Sequence, residues 1–236
     1  MPSYDDYTIN SKNPLARYAH RFRFKLSVEM LRDKKNITLL DFGCGDGNFL
    51  EGISSNLNNN HIGFEPYMDL KKSIDLNKLQ IYKNWDDILD YASKNGSFDF
   101  VTCFEVLEHF SEEKQRRCFK DISTVLKKDG TIIISVPIEK GLPSLVKNLR
   151  RVWLLRSSNP GVYTFKNIFF SFFGIKTKAL NKLRIGSEYL GHMGFYFDDF
   201  EKIINEDFVI ENKKFSPFKV LPFYLNSQVF YTLRKK

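Results

Sequence analysis

Leu39-Leu40-Asp41-Phe42-Gly43-Cys44-Gly45-Asp46-Gly47-Asn48-Phe49-Leu50 is the stretch whose reading decides the fold. Ile37 to Phe42 is an apolar run of strand character, three glycines at alternate positions break it, and a helical pattern follows. Alternate glycines permit positive φ and remove the side chains that would hold a ligand off the backbone. A strand entering such a loop and then a helix offers bare N–H groups at a helix N-terminus, beside the C-terminal edge of a parallel sheet. Glycine spacing narrows the ligand further. The dinucleotide fingerprint G-x-G-x-x-G sets its third glycine one residue later. Here Gly43, Gly45 and Gly47 read G-x-G-x-G, two residues behind the acid Asp41.

Outward from this loop, apolar strands alternate with helical patterns, which predicts a doubly wound α/β domain with a mostly parallel sheet over residues 1–236. A basic aromatic helix over Pro14 to Arg32 makes residues 1–33 an N-terminal helical segment. Strands are predicted at Ile37–Phe42, His61–Glu65, Leu79–Tyr82, Phe98–Phe104, Thr131–Val136, Phe208–Lys214 and Gln228–Arg234. Helices are predicted from Gly47, around Met68–Asn77, at Trp85–Ser93 and at Phe197–Asn205. Ser111 with Glu112 and Glu113 reads as an N-cap with acids in the first turn of a helix running to Lys127 and Lys128, which Asp129-Gly130 ends. The segment from Ser216-Pro217 to Asn226 reads as a long hairpin loop.

Composition excludes some classes. With 42% hydrophobic and 27% charged residues the chain has ordinary globular composition. Its richest apolar run, Ile168 to Ile175, falls well short of the roughly 18 residues that span a bilayer. Met1 to Asn10 is polar and has no secretory signal character. Cysteines at 44, 103 and 118 have no metal-ligand spacing and an odd count, so reduced thiols and a cytoplasmic setting are expected. The charge is local: Ile138 to Gly191 carries ten basic residues against Glu139 and Glu188, a net +8 that equals that of the whole chain. Trp153, Tyr163, Phe165, Phe169, Phe170, Phe172 and Phe173 lie among those charges. A basic, aromatic lid over residues 138–191 suits an anionic or carrier-linked substrate, or peripheral contact with a membrane surface. In the plainer alternative its aromatics pack inward and its cations are solvated. Nucleic acid is disfavoured, since the charge occupies one segment with no recognised RNA-binding module beside it.

Two further motifs carry candidate chemistry. Glu65 ends the second strand about 20 residues after the glycine loop, where a carboxylate can accept from both ribose hydroxyls of a nucleoside. In Glu105-Val106-Leu107-Glu108-His109 the two acids and the histidine stand at i, i+3 and i+4, so a helical turn would project all three from one face. Such O/N donors suit a divalent ion, and His192, in Gly191-His192-Met193-Gly194, is a fourth candidate ligand. Without an ion, His109 is a candidate general base.

The run Asp41-x-Gly43-x-Gly45-x-Gly47 resembles motif I of the class I S-adenosylmethionine-dependent methyltransferases. Phe98-Asp99-x-Val101, the E-V-L-E-H of Glu105–His109, and Leu126-Lys127-Lys128-Asp129-Gly130 before the strand to Pro137 resemble later motifs of the small-molecule members. The resemblance implies a seven-stranded sheet of order 3-2-1-4-5-7-6 with strand 7 antiparallel. It implies S-adenosylmethionine held by Asp41, Gly43, Cys44, Gly45, Gly47 and Glu65. Pro66, Trp85, either Asp86 or Asp87 against the adenine, Phe104 and Glu105 complete that set, and S-adenosylhomocysteine is the implied product. E-x-x-E-H with a distant histidine is similar to the site of small-RNA 2′-O-methyltransferases, and ubiquinone-pathway O-methyltransferases carry a similar motif. This implies Mg²⁺ or Mn²⁺ on Glu105, Glu108, His109 and His192, with Glu108, His109 and His192 as the catalytic set, in O-methylation of a small metabolite. Val136-Pro137-Ile138-Glu139-x-Gly141-Leu142-Pro143 and the Ser216–Gln228 tail resemble bacterial methyltransferases of surface-glycan precursors. The alternatives are a metal-dependent methyltransferase of RNA ends, or an inactive cofactor-binding or membrane-docking module. The glycine spacing disfavours a dehydrogenase.

Overall fold

The structure, a computed structural model, describes residues 14–32, 34, 36–54, 61–67, 79–155, 164–178, 180 and 192–236. Its elements in chain order are α1 (Pro14–Leu31), β1 (Leu39–Phe42), α2 (Asn48–Ser54), β2 (His61–Phe64), β3 (Gln80–Tyr82), α3 (Trp85–Asn95) and β4 (Phe98–Phe104). After these come α4 (Glu112–Val125), β5 (Leu126–Pro137), α5 (Leu142–Leu155), α6 (Phe165–Phe172), α7 (Phe197–Asp207), β6 (Phe208–Ser216) and β7 (Gln228–Lys235). The seven strands form one sheet of order β3-β2-β1-β4-β5-β7-β6 with β7 antiparallel, the order expected. The helix expected at Met68–Asn77 falls outside the described residues.

The chain divides into two compact units, one of residues 1–104, 120–134 and 232–236, the other of 105–119 and 135–231. In the first, β1 pairs in parallel with β2, Leu39 opposite His61, and with β4, Leu39 opposite Phe100. All four residues of β1 are buried, as a parallel strand covered on both faces requires. Leu31, Ile37, Leu39, Phe49, Leu50, Ile53, Leu79 and Ile133 make the core, and Phe24, Val28 and Met30 of α1 pack onto it. The N-terminal helix therefore belongs to this core. Gly63 of β2 has no alternative here: a Cβ on it would lie 2.5 Å from Cys44 Sγ and 3.1 Å from Leu50 Cδ1.

Helix α4 stops at Val125, earlier than the Lys127–Lys128 expected, and Leu126 to Gly130 already belong to β5. The far end of the chain meets this junction. Lys235 Nζ donates to the carbonyls of Ser123 and Leu126 at 2.8 and 2.6 Å, placing a cation on the C-terminal carbonyls of the helix. The N-terminus of α4 follows its local sequence, with Ser111 Oγ accepting from the Lys114 amide.

The second unit holds α5, α6, α7 and the β6–β7 hairpin. Phe197, Phe215 and Phe223 pack with centroids 5.8 to 6.5 Å apart, and Tyr231 reaches from β7 to donate to Glu201 of α7 at 2.7 Å. Asn226 ties the hairpin loop, its Oδ1 accepting from Phe218 N–H and its Nδ2 donating to the carbonyls of Phe218, Leu221 and Pro222.

Replacing Gly63 by alanine is expected to cost about 1–3 kcal/mol by overpacking. Denaturant melts of G63A, C44A and the double variant measure it. Partial relief in the double variant is expected, and additive losses would show that Cys44 is not the obstacle.

Candidate functional site

In the first unit the site begins where β1 ends. Gly43, Gly45 and Gly47 adopt φ of 78°, 52° and 74°. The Gly43 and Cys44 amides both donate to Phe64 O, at 2.8 and 3.2 Å. Gly45 N–H donates to Glu65 Oε2 at 3.1 Å, and Tyr67 N–H to the other carboxylate oxygen at 3.1 Å. Each oxygen of Glu65 thus carries one amide and keeps acceptor capacity for a hydroxyl. A Cβ on Gly45 would meet nothing within 4 Å, so the loop is open at its tip, where a ligand can approach the backbone.

Asp41 is buried, and Thr102 Oγ1 donates to its Oδ1 at 2.7 Å. Burial pushes its carboxyl up to about 7, against the Thr102 hydrogen bond and helped by the charge of Glu65. The Cys44 thiol, beside both acids, is pushed above its ordinary value, chiefly by burial, and is an inert packing group. Trp85 packs edge-on against Phe42 and Phe64, with centroids 5.8 and 5.3 Å away. Asp86 and Pro66 are exposed, and Asp87 accepts from Asn84 within its own turn. Phe104 meets Phe49 edge to face at 5.0 Å.

In the second unit, residues 105–109 do not form the helical turn expected. Glu105 has φ of 57°, and only Leu107–His109 coil, as a short 3-10 turn held by Gln115 Nε2, which donates to Leu107 O and Phe110 O. The i, i+3, i+4 geometry therefore fails for its first member. Glu105 accepts from Ser135 Oγ at 3.3 Å, and its own N–H donates to Ser135 O. Among the described residues, Glu108, His109 and His192 are the group whose ligand atoms lie within 4.8 Å of one another, and Glu105 is not in it. The structure thus brings together three of the four candidate ligands.

Those three converge closely. His109 Nε2 and His192 Nε2 are 3.3 Å apart, and Glu108 Oε1 lies 3.8 and 3.9 Å from them. A triangle with those sides has its centre about 2.1 Å from each corner, the length of a Zn–N or Mg–O bond. Two Nε2 atoms at hydrogen-bond distance need either a proton on one of them or a shared cation. Behind His192, Glu139 is buried, and its Oε1 lies 3.5 Å from His192 Nδ1. The same oxygen pairs with Lys147 of α5. Burial alone would push the Glu139 carboxyl up, but Lys147 and His192 more than offset it and hold it at about 2. Sequence reasoning gave Glu139 no role in the site, placing it only among the acids of a basic segment and in the Val136–Glu139 run. The signal was there: an acid directly after an apolar strand, where solvent exposure was not to be expected.

Asp41 yields a pH prediction. Its folded-state value lies above the ordinary 3.8. The stability contributed by its neutral form is therefore full below the ordinary 3.8, falls progressively above it, and is lost once pH has risen through about 7. Urea melts between about pH 5 and 8 are expected to show wild type losing on the order of 2–4 kcal/mol relative to D41N. Parallel curves would refute the assignment.

Comparison with known proteins extends this picture. A family model for a methyltransferase domain matches residues 14–171, about two thirds of the chain. The ubiquinone biosynthesis O-methyltransferase of Escherichia fergusonii is 26% identical over 134 residues, 54% of this chain and 54% of that protein. The chain spans about half the length of the curated relatives it matches. Among solved structures, a protein of Pyrococcus horikoshii OT3 superposes with a TM-score of 0.60 at 17% identity, covering 99% of this chain and 96% of that one. An S-adenosylmethionine-dependent methyltransferase of Clostridium acetobutylicum gives 0.57 at 13% identity, covering 98% and 96%. At such identities the structural likeness is one of fold. With the glycine loop, the sheet order and the matched residues 14–171 in agreement, the chain belongs to the methyltransferase domain family.

Proposed function

We propose that this chain transfers the methyl group of S-adenosylmethionine to a hydroxyl of a small or carrier-linked metabolite, with a divalent ion assisting. The convergence of Glu108, His109 and His192 carries the hydroxyl and metal part of this reading. Family membership and the open glycine loop carry the cofactor. S-adenosylmethionine, when bound, supplies an electrophilic methyl on a sulfonium. The loop residues Gly43, Gly45 and Gly47 allow close backbone approach, Glu65 is the acceptor for ribose hydroxyls, and Trp85 and Asp86 are the adenine contacts in this reading.

Two imidazoles and one carboxylate fit Mn²⁺ better than Mg²⁺, which prefers all-oxygen shells rich in water. Such an ion supplies Lewis-acid polarisation of a hydroxyl oxygen. The chain's own contribution is orientation and proton control. Glu139 at 3.5 Å favours the proton of His192 on Nδ1, which leaves the Nε2 lone pair for an ion or for a hydroxyl proton. With no ion, His192 backed by Glu139 is an acid–base pair of the kind that activates hydroxyl nucleophiles. The net positive charge of residues 138–191 suits an acceptor bearing an anionic group, such as a sugar phosphate, in keeping with the resemblance to surface-glycan enzymes.

Calorimetry with S-adenosylhomocysteine is expected to show binding that E65A weakens at least tenfold and H192A leaves intact. Titration of the metal-free chain with Mn²⁺, followed by electron paramagnetic resonance, is expected to show one site. H192A should abolish it, and E139Q should weaken it about 10- to 100-fold, the usual cost of losing a carboxylate behind a ligating histidine. No S-adenosylhomocysteine binding would overturn the cofactor reading. Mn²⁺ affinity unchanged by H192A would overturn the metal site alone.

A further inference from the structure

The described residues of the second unit hold a concentration of exposed apolar side chains. Helix α5 exposes Leu142, Val146 and Leu149, spaced four and three residues apart and so along one stripe. Helix α6 exposes Phe165 (70%) and Phe169 (57%), and its cap residue Phe173 (58%) continues the line. The core-facing sides of both helices are already used: Leu145, Val152 and Phe170 pack around Ile168, Leu180 and Met193. Phe165, Phe169 and Phe173 are therefore surplus to the core, unlike the plainer alternative in which the aromatics of this segment pack inward. The tip of the β6–β7 hairpin adds Phe218, Val220 (94% exposed) and Tyr224.

These three elements meet at Gly141. Its N–H donates to Phe172 O at the end of α6, 3.0 Å away. A Cβ on it would stand 2.6 Å from the Tyr224 backbone, so only glycine lets the hairpin approach the start of α5 this closely. Exposed Leu142, Phe173 and Tyr224 each flank that junction. The accompanying charge is of one sign. From 138 to 178, Glu139 is the single acid, and it is buried under Lys147 and His192. Lys140 and Lys176 pair with Asp198 and Asp199 of α7, whereas Arg150, Lys166 and Lys178 are exposed and join none of the ion pairs of the described residues.

We propose that this face, built from α5, α6 and the 218–224 hairpin tip, docks the protein on an anionic lipid bilayer. The phenylalanines would enter the boundary between headgroups and acyl chains while Arg150, Lys166 and Lys178 meet lipid phosphates. Such contact lies in the plane of the surface, since no described helix is long and apolar enough to cross a membrane. A second copy of the chain is a poor occupant, because two like-charged faces would oppose each other. The inference does not depend on the reaction proposed above, and it is tested without turnover.

Co-sedimentation of the full chain with vesicles of phosphatidylcholine plus phosphatidylglycerol, beside pure phosphatidylcholine, is the test. Binding to the anionic vesicles is expected to exceed that to neutral ones at least tenfold and to fall with added salt. F169S combined with F173S should lose roughly tenfold per side chain. K166E combined with K178E should remove the anionic preference. Unchanged S-adenosylhomocysteine affinity and melting temperature would show both variants folded. Failure to bind anionic vesicles, or undiminished binding by the phenylalanine variant, overturns the proposal. So does a concentration-dependent dimer, seen by ultracentrifugation, that the phenylalanine substitutions abolish.

Discussion

One carbonyl accepting two amides fixes the exit of the central strand. Phe64 O receives the N–H groups of Gly43 and Cys44, so the chain leaving β1 turns at the end of β2 and nowhere else. The neighbouring residues complete the clamp. Gly63 leaves room for the Cys44 side chain, and Glu65 takes the Gly45 amide on one carboxylate oxygen. Three consecutive residues at the end of β2 thus hold the loop by space, by a backbone acceptor and by a charge. None of the three lies in the glycine motif, yet each touches it where it holds its positive φ values and keeps its tip open.

Two buried acids show how partner chemistry overrides burial. Asp41 and Glu139 are both almost fully enclosed. Asp41 has a neutral hydroxyl, Thr102, as its partner and the charge of Glu65 nearby, and it rises to about 7. Glu139 has the Lys147 ammonium and the His192 ring, and it falls to about 2. Desolvation acts upward on both; at Glu139 the charges of Lys147 and His192, with their hydrogen bonds, reverse it, and at Asp41 the single Thr102 hydrogen bond does not. The first acid is suited to sit neutral beneath a loop, the second to stay ionised behind a histidine.

Much of the fold was legible locally. The strand at Phe98–Phe104 and the helices starting at Trp85 and Phe197 fall where apolar periodicity and turn residues put them, because those signals act over a few neighbouring residues. The cation at the C-terminus of α4 was not legible, since Lys235, which donates to the Ser123 carbonyl, lies more than a hundred residues away. The reading of Glu105 to His109 as one helical face failed for a related reason. Spacing implies a shared face only if the backbone is helical throughout, and Glu105 sits in the left-handed region, held by Ser135 of β5. Glu139 was given no role in the site because charge counting treats every acid as solvated.

By itself, the sequence determined the kind of sheet, the place of the glycine loop and the candidacy of Glu65, Glu108, His109 and His192, because each rests on residue type and local spacing. Only the tertiary structure decided which of the candidates meet. It brought His192 to within 3.3 Å of His109 across 83 residues of chain, set Glu139 behind it, and left Glu105 out of that cluster. It also turned Phe165, Phe169 and Phe173 outward rather than into the core. Contacts between residues distant in sequence depend on which faces pack, and side-chain burial follows from packing that no local pattern encodes.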